Sequence, residues 1–451
     1  MLPATHKMVQ KFAEIKINQL INFLNSELDD LPDNRKLGNN QKYEIRDAVL
    51  SAFSVFFTQS PSFLEHQRRM KQMKDKNNAK SLFKVKKIPC DNQIRNLLDP
   101  VPASTIYPAY QKIYQWLKNQ KILSKFLYLE SEILIALDGT EYFSSKKISC
   151  SHCNCRNHQN GTTTYFHGCV IPAVVSPNMK QVICLEPEFI KKQDGHKKQD
   201  CENAAVKRWL NKNPSQKYDF PVTLLGDDLY SRQPICELAL EKNYNFIFVC
   251  RKTSHKTLYE WLEFLEKTGE VTTLEKKEWN GKKELVYRYR YTNQIPIKDE
   301  DNSLQVNWCE VMIINQKNQE VSYTNSFITN HQIRDDNVKK IIKAGRSRWK
   351  IENESNNVLK NHGYNLEHNF GHGQNNLCEM LLSLNLLAFL FHSVLNLANS
   401  TYRRLRQVNG SRRSFFNDLR ALLKYFWFET WSDLLDFMLD DNSDNPQINS
   451  S

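Results

Sequence analysis

The chain has 451 residues, 40% of them hydrophobic and 11% aromatic, which supports sizeable folded cores and excludes wholesale disorder. Its net charge of +12 is unevenly placed, since residues 1–130 carry 21 Lys/Arg against 12 Asp/Glu. Such an excess favours a polyanionic partner, nucleic acid above all. The length suits two or three domains. Eleven cysteines, and a first stretch (Met1 to Gln19) without the apolar run of a secretory leader, predict a reducing compartment. We therefore expect a cytoplasmic protein with no membrane partner.

In chain order, residues 1–128 read as helical and basic, with amphipathic stretches at Tyr43–Phe57 and Tyr107–Phe126. Within them His66 to Lys87 holds nine basic residues, Arg68, Arg69 and Lys71 among them, against the single acid Asp75. Such a strip neutralises phosphates, although a solvated helix face has the same composition. At Ile133-Leu134-Ile135-Ala136-Leu137 a buried strand is predicted, ending at Asp138-Gly139-Thr140. Strand-like runs follow at Thr163–Val175 and Gln181–Leu185, then a helix at Cys201–Leu210. A strand at Phe220–Leu225 ends at Gly226-Asp227-Asp228, and helix Pro234–Lys242 leads to strand Asn245–Cys250. Residues 255–325 alternate like a β-rich insertion, strand Ser322–Thr329 returns, and a helix bearing Arg348 and Glu352 comes next. The order predicts an α/β mixed sheet flanked by helices. Leu381–Leu397, apolar but broken by polar residues at helical intervals, predicts a buried core helix rather than a membrane span.

Three acids stand out by position. Asp138 and Asp227 each end an apolar strand, and Glu352 lies on a later helix. Carboxylates at neighbouring strand ends repel one another unless a cation intervenes. Hard divalent ions prefer such oxygens, and a pair of them clamps both the attacking and leaving oxygens of a phosphoryl displacement. Arg348, Glu352, Asn356 and Lys360 recur every fourth residue, as one polar helical stripe would. An ion-paired surface helix shows the same spacing.

Together, Ile133 to Thr140, Leu224-Leu225-Gly226-Asp227-Asp228-Leu229-Tyr230-Ser231 and Arg346-Ser347-Arg348-Trp349-Lys350-Ile351-Glu352 resemble the DDE transposases of bacterial insertion sequences. The resemblance covers roughly residues 130–375. It implies a ribonuclease-H-like (retroviral-integrase-like) core with a β-strand insertion and helical N- and C-terminal regions. By that resemblance Asp138, Asp227 and Glu352 are the catalytic and metal-binding carboxylates. Asp228 is the alternative for the second, but the family's Asp-x-x-Tyr pattern matches Asp227 with Tyr230. Two Mg²⁺ ions per site are implied, with Mn²⁺ as a substitute. Arg348 matches the family's DNA-contacting arginine, and Arg346, Trp349 and Lys360 join it as DNA-binding candidates; packing is the favoured role of Trp349, with stacking on a splayed base as the other. Two positions depart from the pattern. Gly345 stands where the family has tyrosine, and Leu359 where it has lysine, with Lys360 one residue later. The implied activity is endonucleolytic cleavage at element ends and strand transfer into target DNA, by cut-and-paste transposition. The implied partners are double-stranded DNA and a second copy of the chain, as a homodimer in the synaptic complex. Two further classes stay open: a transposase-derived DNA-binding protein without activity, and a two-metal nuclease that only hydrolyses.

The expected organisation is 1–128 DNA-binding, 129–254 first part of the core, 255–325 insertion, 326–375 second part of the core, and 376–451 helical with a polar tail. Cys150, Cys153, His158 and His167 offer a partial zinc set, yet the second pair has neither Cys-x₂-Cys nor His-x₃₋₅-His spacing. A loop with reduced thiols is the reading adopted there, with zinc as the alternative. The segment from Glu186 to Glu202 reads as an acidic loop near the site with no required metal role. Motifs for ATP binding, zinc proteolysis and esterase chemistry are absent from the sequence.

Overall fold

The computed structural model describes residues 14–29, 31, 33, 35, 42–70, 77–192, 202–279 and 281–440. They fall into two compact units, one from Met1–Lys125 with Val358–Ser451 and the other Phe126–Asn357. Lys71 and the polar tail beyond residue 440 lie outside the described residues.

The first unit begins with helices α1 (Ile17–Asn25), α2 (Ile45–Phe57), α3 (Phe63–Met70), α4 (Asn78–Phe83), α5 (Asp91–Leu98) and α6 (Tyr107–Asn119). Helix α2 is buried nearly all round, its polar Asp47, Ser51 and Ser54 included, so it is a core helix rather than the amphipathic one its pattern predicts.

The second unit opens with strand β1 (Ile133–Ala136). Strands β2 (Gly139–Ser145), β3 (Asn154–Asn157), β4 (Thr163–Val170), β5 (Ala173–Val175), β6 (Ile183–Cys184) and β7 (Glu188–Ile190) follow it. Then come α7 (Glu202–Lys212), β8 (Val222–Gly226), α8 (Gln233–Glu241), β9 (Asn245–Val249), α9 (Lys256–Thr268), β10 (Thr272–Trp279), β11 (Glu284–Pro296), β12 (Gln305–Asn315), β13 (Val321–Thr329) and α10 (Val338–Arg346). Nine of the strands form one sheet, ordered β10-β11-β12-β13-β9-β8-β1-β5-β6. In its centre β1 pairs antiparallel with β5 and parallel with β8, which is parallel to β9. The five strands β6-β5-β1-β8-β9 have the ribonuclease-H-like arrangement that the sequence predicts. The region 255–325 departs from expectation twice: it begins with helix α9, and its strands extend the core sheet through β13 and β9 rather than standing apart.

A second sheet, β2-β4-β3 with β7 also on β4, grows from the first at a corner. The chain leaves β1 through Leu137-Asp138 into β2, and returns from β4 through Ile171-Pro172 into β5. The Ile171 amide donates to the Asp138 carbonyl at 3.0 Å, closing the corner. The run Thr163–Val175 is therefore two strands, because proline has no amide to continue a ladder.

After α10 the chain forms a π-helical turn at Ile351–Asn356 and then α11 (Asn357–Asn361). The first unit resumes with α12 (Leu377–Ala398), α13 (Ser400–Val408), α14 (Arg412–Tyr425) and α15 (Trp431–Asp440). Helix α12 is long and apolar enough to cross a membrane, yet 94% of its apolar window is buried within the fold. Its partners include α2, and an aromatic cluster of Phe53, Phe57, Phe83, Phe391 and Trp431 joins N- and C-terminal segments. Asp99 accepts from the amides of Asn375 and Leu377 at the start of α12, and Trp431 Nε1 donates to the Leu82 carbonyl at 2.9 Å. The N-terminal helices thus share one core with the C-terminal region instead of forming a domain of their own. An all-round apolar helix needs partners on every face, and the N-terminal helices supply them.

Candidate active site

Parallel pairing decides where the first two acids go. β1 and β8 run side by side in register, Ile133 opposite Val222 through Ala136 opposite Leu225, and the Leu137 amide donates to the Leu225 carbonyl at 2.9 Å. Adjacent strands are about 4.8 Å apart. Asp138 and Asp227, just beyond the same ends of the two strands, therefore emerge side by side. In open α/β sheets the carboxyl ends of such strands are where ligands bind.

Glu352 reaches the same place from the π-helical turn. Arg348 Nη1 lies 2.8 Å from Glu352 Oε1 and 3.5 Å from Asp138 Oδ1, so one guanidinium spans two of the acids. Asn356 Nδ2 donates to Asp138 Oδ2 at 2.7 Å, while its Oδ1 is buried without a hydrogen-bond partner among the described residues. The predicted stripe of one straight α-helix is replaced by the wider π turn, a distortion frequent at functional sites. Lys360 pairs with Glu367 at 2.8 Å.

A fourth carboxylate joins them. Glu202, at the start of α7, accepts a short hydrogen bond from the Tyr230 hydroxyl and another from the Gly139 amide. It fits only because residue 139 is glycine, since a Cβ there would collide with the Glu202 carboxylate. The Tyr of the Asp-x-x-Tyr pattern is thus fully buried and holds this acid. The sequence places Glu202 at the end of a segment near the site but marks no role for it; folding alone brings it to Gly139 and Tyr230.

Burial pushes the Asp138 carboxyl up to about 7; Arg348 opposes the rise, and the charges of Glu352, Glu202 and Asp227 add to it. Burial also raises Glu202, and its neighbouring acids hold Tyr230 well above the usual phenol range after burial has done so. Four neighbouring carboxylates, only two of them paired with the Arg348 guanidinium, are an under-neutralised, all-oxygen donor set. With the unpartnered Asn356 oxygen beside it, this set fits hard divalent cations.

The alternative acid points elsewhere. Asp228 Oδ1 accepts from the Arg251 amide at 2.7 Å, and its other oxygen accepts from the Ser254 hydroxyl. It closes the turn after β9, while Asp227 faces the acidic cluster.

The remaining predicted residues separate clearly. Gly345, where the family has tyrosine, packs against Phe327 and Ile247 so closely that a Cβ would come within 2.7–2.9 Å of them. Arg346 stacks on Tyr323, its guanidinium 4.5 Å from the ring centre. Trp349 is 52% exposed, so the packing role is not what the structure shows; with Lys343, Arg346 and Lys350 it borders an open groove of about 290 Å³. In the helical unit Arg68 is exposed and Arg69 is ion-paired with Glu65. Cys150, Cys153 and His167 come together, whereas His158 sits at the β3–β4 turn, its Nε2 2.8 Å from Thr164 Oγ1. The expected loop there is in part strand β3. Glu186 pairs with Lys217, and Glu188 with Arg208 and Lys212, while residues 193–201 of that stretch lie outside the described residues.

No curated protein matches the sequence. The family model described as transposase DDE domain matches residues 135–390, more than half of the chain, and spans Asp138, Asp227 and Glu352. The sheet topology, the acids at adjacent strand ends and this match lead to one conclusion: the chain belongs to the DDE transposase family, enzymes of the nuclease type that act on DNA with divalent metal ions.

Proposed function

We propose that the protein is a cut-and-paste transposase in which Asp138, Asp227 and Glu352 hold two Mg²⁺ ions, with Mn²⁺ as a substitute. The observation that carries this reading is Arg348 spanning Asp138 and Glu352 at the end of β1, with Asp227 beside Asp138 at the end of the parallel strand β8. Bound in that cluster, the ions supply Lewis-acid stabilisation to the attacking and leaving oxygens of an in-line displacement.

The protein's own groups do the rest. Asp138, beside Asp227 and Glu352, would give up its proton when cations bind, because they reverse the local charge balance. Arg348 holds Asp138 and Glu352 in place and turns toward a DNA phosphate once the cations neutralise those acids. Asn356 orients the second oxygen of Asp138. Glu202, fixed by Tyr230 and Gly139, lies against the cluster as a positioning group. Arg346, Lys343 and Lys350 bind backbone phosphates, and the exposed Trp349 stacks on a base displaced near the cut end. In the first step a water oxygen attacks phosphorus and the bond to the 3′ oxygen breaks, leaving a 3′-hydroxyl and a 5′-phosphate. In the second that hydroxyl attacks a target phosphodiester and displaces its 3′ oxygen. The bonds broken and formed are of one type, so no external energy source is needed. Acting on two element ends requires two active sites in the assembled complex, which we assign to a homodimer.

The test is a donor plasmid carrying the DNA that flanks the coding sequence, incubated with a target plasmid and Mg²⁺. Excised donor and joined products are expected, and both vanish with Asp138→Asn. Nicks without joining indicate a hydrolytic nuclease, and DNA binding without any cleavage an inactive derivative; either result overturns the proposal.

A further inference from the structure

A second cluster of metal-ligating groups lies in the catalytic unit and has no part in that reaction. Cys150 Sγ and Cys153 Sγ are 3.7 Å apart, and His167 Nε2 is 3.5 Å from the first and 3.3 Å from the second. A tetrahedral zinc with bonds of about 2.3 Å to sulfur and about 2.0–2.1 Å to nitrogen requires edges of about 3.8 Å (S to S) and about 3.6 Å (S to N). All three observed separations come within a few tenths of an ångström of those edges. The sulfurs are far beyond the roughly 2.05 Å of a disulfide.

Strand register explains the meeting. Asn154 pairs with Phe166, so the residue before it, Cys153, falls level with His167, which on its other side pairs with Phe143 of β2. The Cys150–Cys153 turn is closed by the Cys153 amide donating to the Cys150 carbonyl at 3.2 Å. The Cys150 amide points at Cys153 Sγ at 3.4 Å, an N–H donor suited to a thiolate. Cys153 and His167 are buried, and Tyr142 and Phe143 flank the imidazole. His158, at the far end of β3, is too distant along the strand to join.

We propose that Cys150, Cys153 and His167 bind one Zn²⁺ ion that fastens the β2–β3 connection onto β4, the fourth position being filled by a ligand beyond these three. The soft thiolate and imidazole donors select zinc, whereas the all-oxygen cluster at Asp138 selects Mg²⁺. Since β2 starts one residue after Asp138, the ion stiffens the sheet that anchors one side of the active-site corner.

Full-length protein, reduced, loaded with ZnCl₂ and desalted, tests this by zinc counting and by the Co²⁺ spectrum. One zinc per chain is expected in the wild type and in Asp138→Asn, and at least about a tenfold lower content in Cys153→Ser and His167→Ala. Cys155→Ser and His158→Ala keep the metal. Should a cysteine variant fail to fold, Cys150→His retains a donor: it binds Co²⁺ with the thiolate charge-transfer band reduced by about half, as expected for one thiolate in place of two. The proposal is overturned by a metal-free wild type, by undiminished zinc in Cys153→Ser, by equal loss in the Cys155 or His158 variants, or by an unchanged charge-transfer band in Cys150→His.

Discussion

Two clusters of ligating side chains in the catalytic unit differ in chemistry and in state of balance. At the β1–β8 ends, four carboxylates gather near one guanidinium that pairs with two of them, and burial raises the Asp138 carboxyl to about 7. On the second sheet, two sulfurs and an imidazole form a triangle with no carboxylate in it. The first site stores repulsion, which a cation relieves at the moment of loading and which the reaction can exploit. The second is a neutral donor set that would become a clamp on binding zinc, when its thiols lose their protons. Activity and architecture are therefore expected to depend on different metals, and this separation can be attacked experimentally.

The largest effect should come from the acids themselves. Asp138→Asn or Asp227→Asn is expected to cut strand cleavage by at least about a thousandfold while leaving zinc content and the circular-dichroism spectrum unchanged. Asp228→Asn is the sharpest comparison, because it sits next to Asp227 yet holds the Arg251 amide and Ser254. It should cost about 1–3 kcal/mol in denaturant unfolding and leave cleavage within about tenfold of wild type. Equal inactivation by both substitutions would reverse the assignment of the second acid.

Removing metals one at a time comes next. Withdrawing Mg²⁺ should abolish cleavage and scarcely change the melting temperature, whereas stripping zinc with a strong chelator should lower it by several degrees. Identical melting curves after zinc removal would erase the distinction between the clusters.

Protonation provides a smaller effect of definite sign. The folded-state pKa of Asp138 lies above its unfolded value, so in metal-free protein its charge carries no penalty below about pH 4. The penalty grows as pH rises toward about 7 and is complete above it. Asp138→Asn should accordingly stabilise the metal-free protein at pH 8 by about 1–3 kcal/mol and do nothing at pH 4. Equal stability of the two proteins at pH 8 would contradict the stored repulsion. The smallest effect concerns Trp349, whose replacement by alanine should leave stability within about 0.5 kcal/mol but weaken binding of DNA with a frayed end by about 1 kcal/mol or more, read by fluorescence anisotropy.

Much of the catalytic sheet was legible in sequence, because β1, β8 and β9 are short apolar runs that end abruptly in polar residues, and a strand buried on both faces can hardly read otherwise. Asp138 and Asp227 were legible for the same reason, as charges at the limits of such runs. The short strands β2, β3 and β7 were not, since they are mixed in composition and owe their existence to pairing with β4. Glu202 was legible only as the end of a segment near the site, because its partners, Gly139 and Tyr230, are distant in sequence and only the fold selects it. His158 and His167 looked equivalent as donors until register put one level with Cys153 and the other at a turn.

The sequence by itself determined the composition of the elements, the family motifs and the acids that end the central strands, since these follow from local polarity and spacing. Tertiary structure alone decided that the N-terminal helices share a core with the C-terminal ones, that a π turn replaces the straight polar stripe, and that Asp228 faces away from its neighbour's cluster. Each of those outcomes depends on which surfaces meet across long stretches of chain, and no local pattern encodes that.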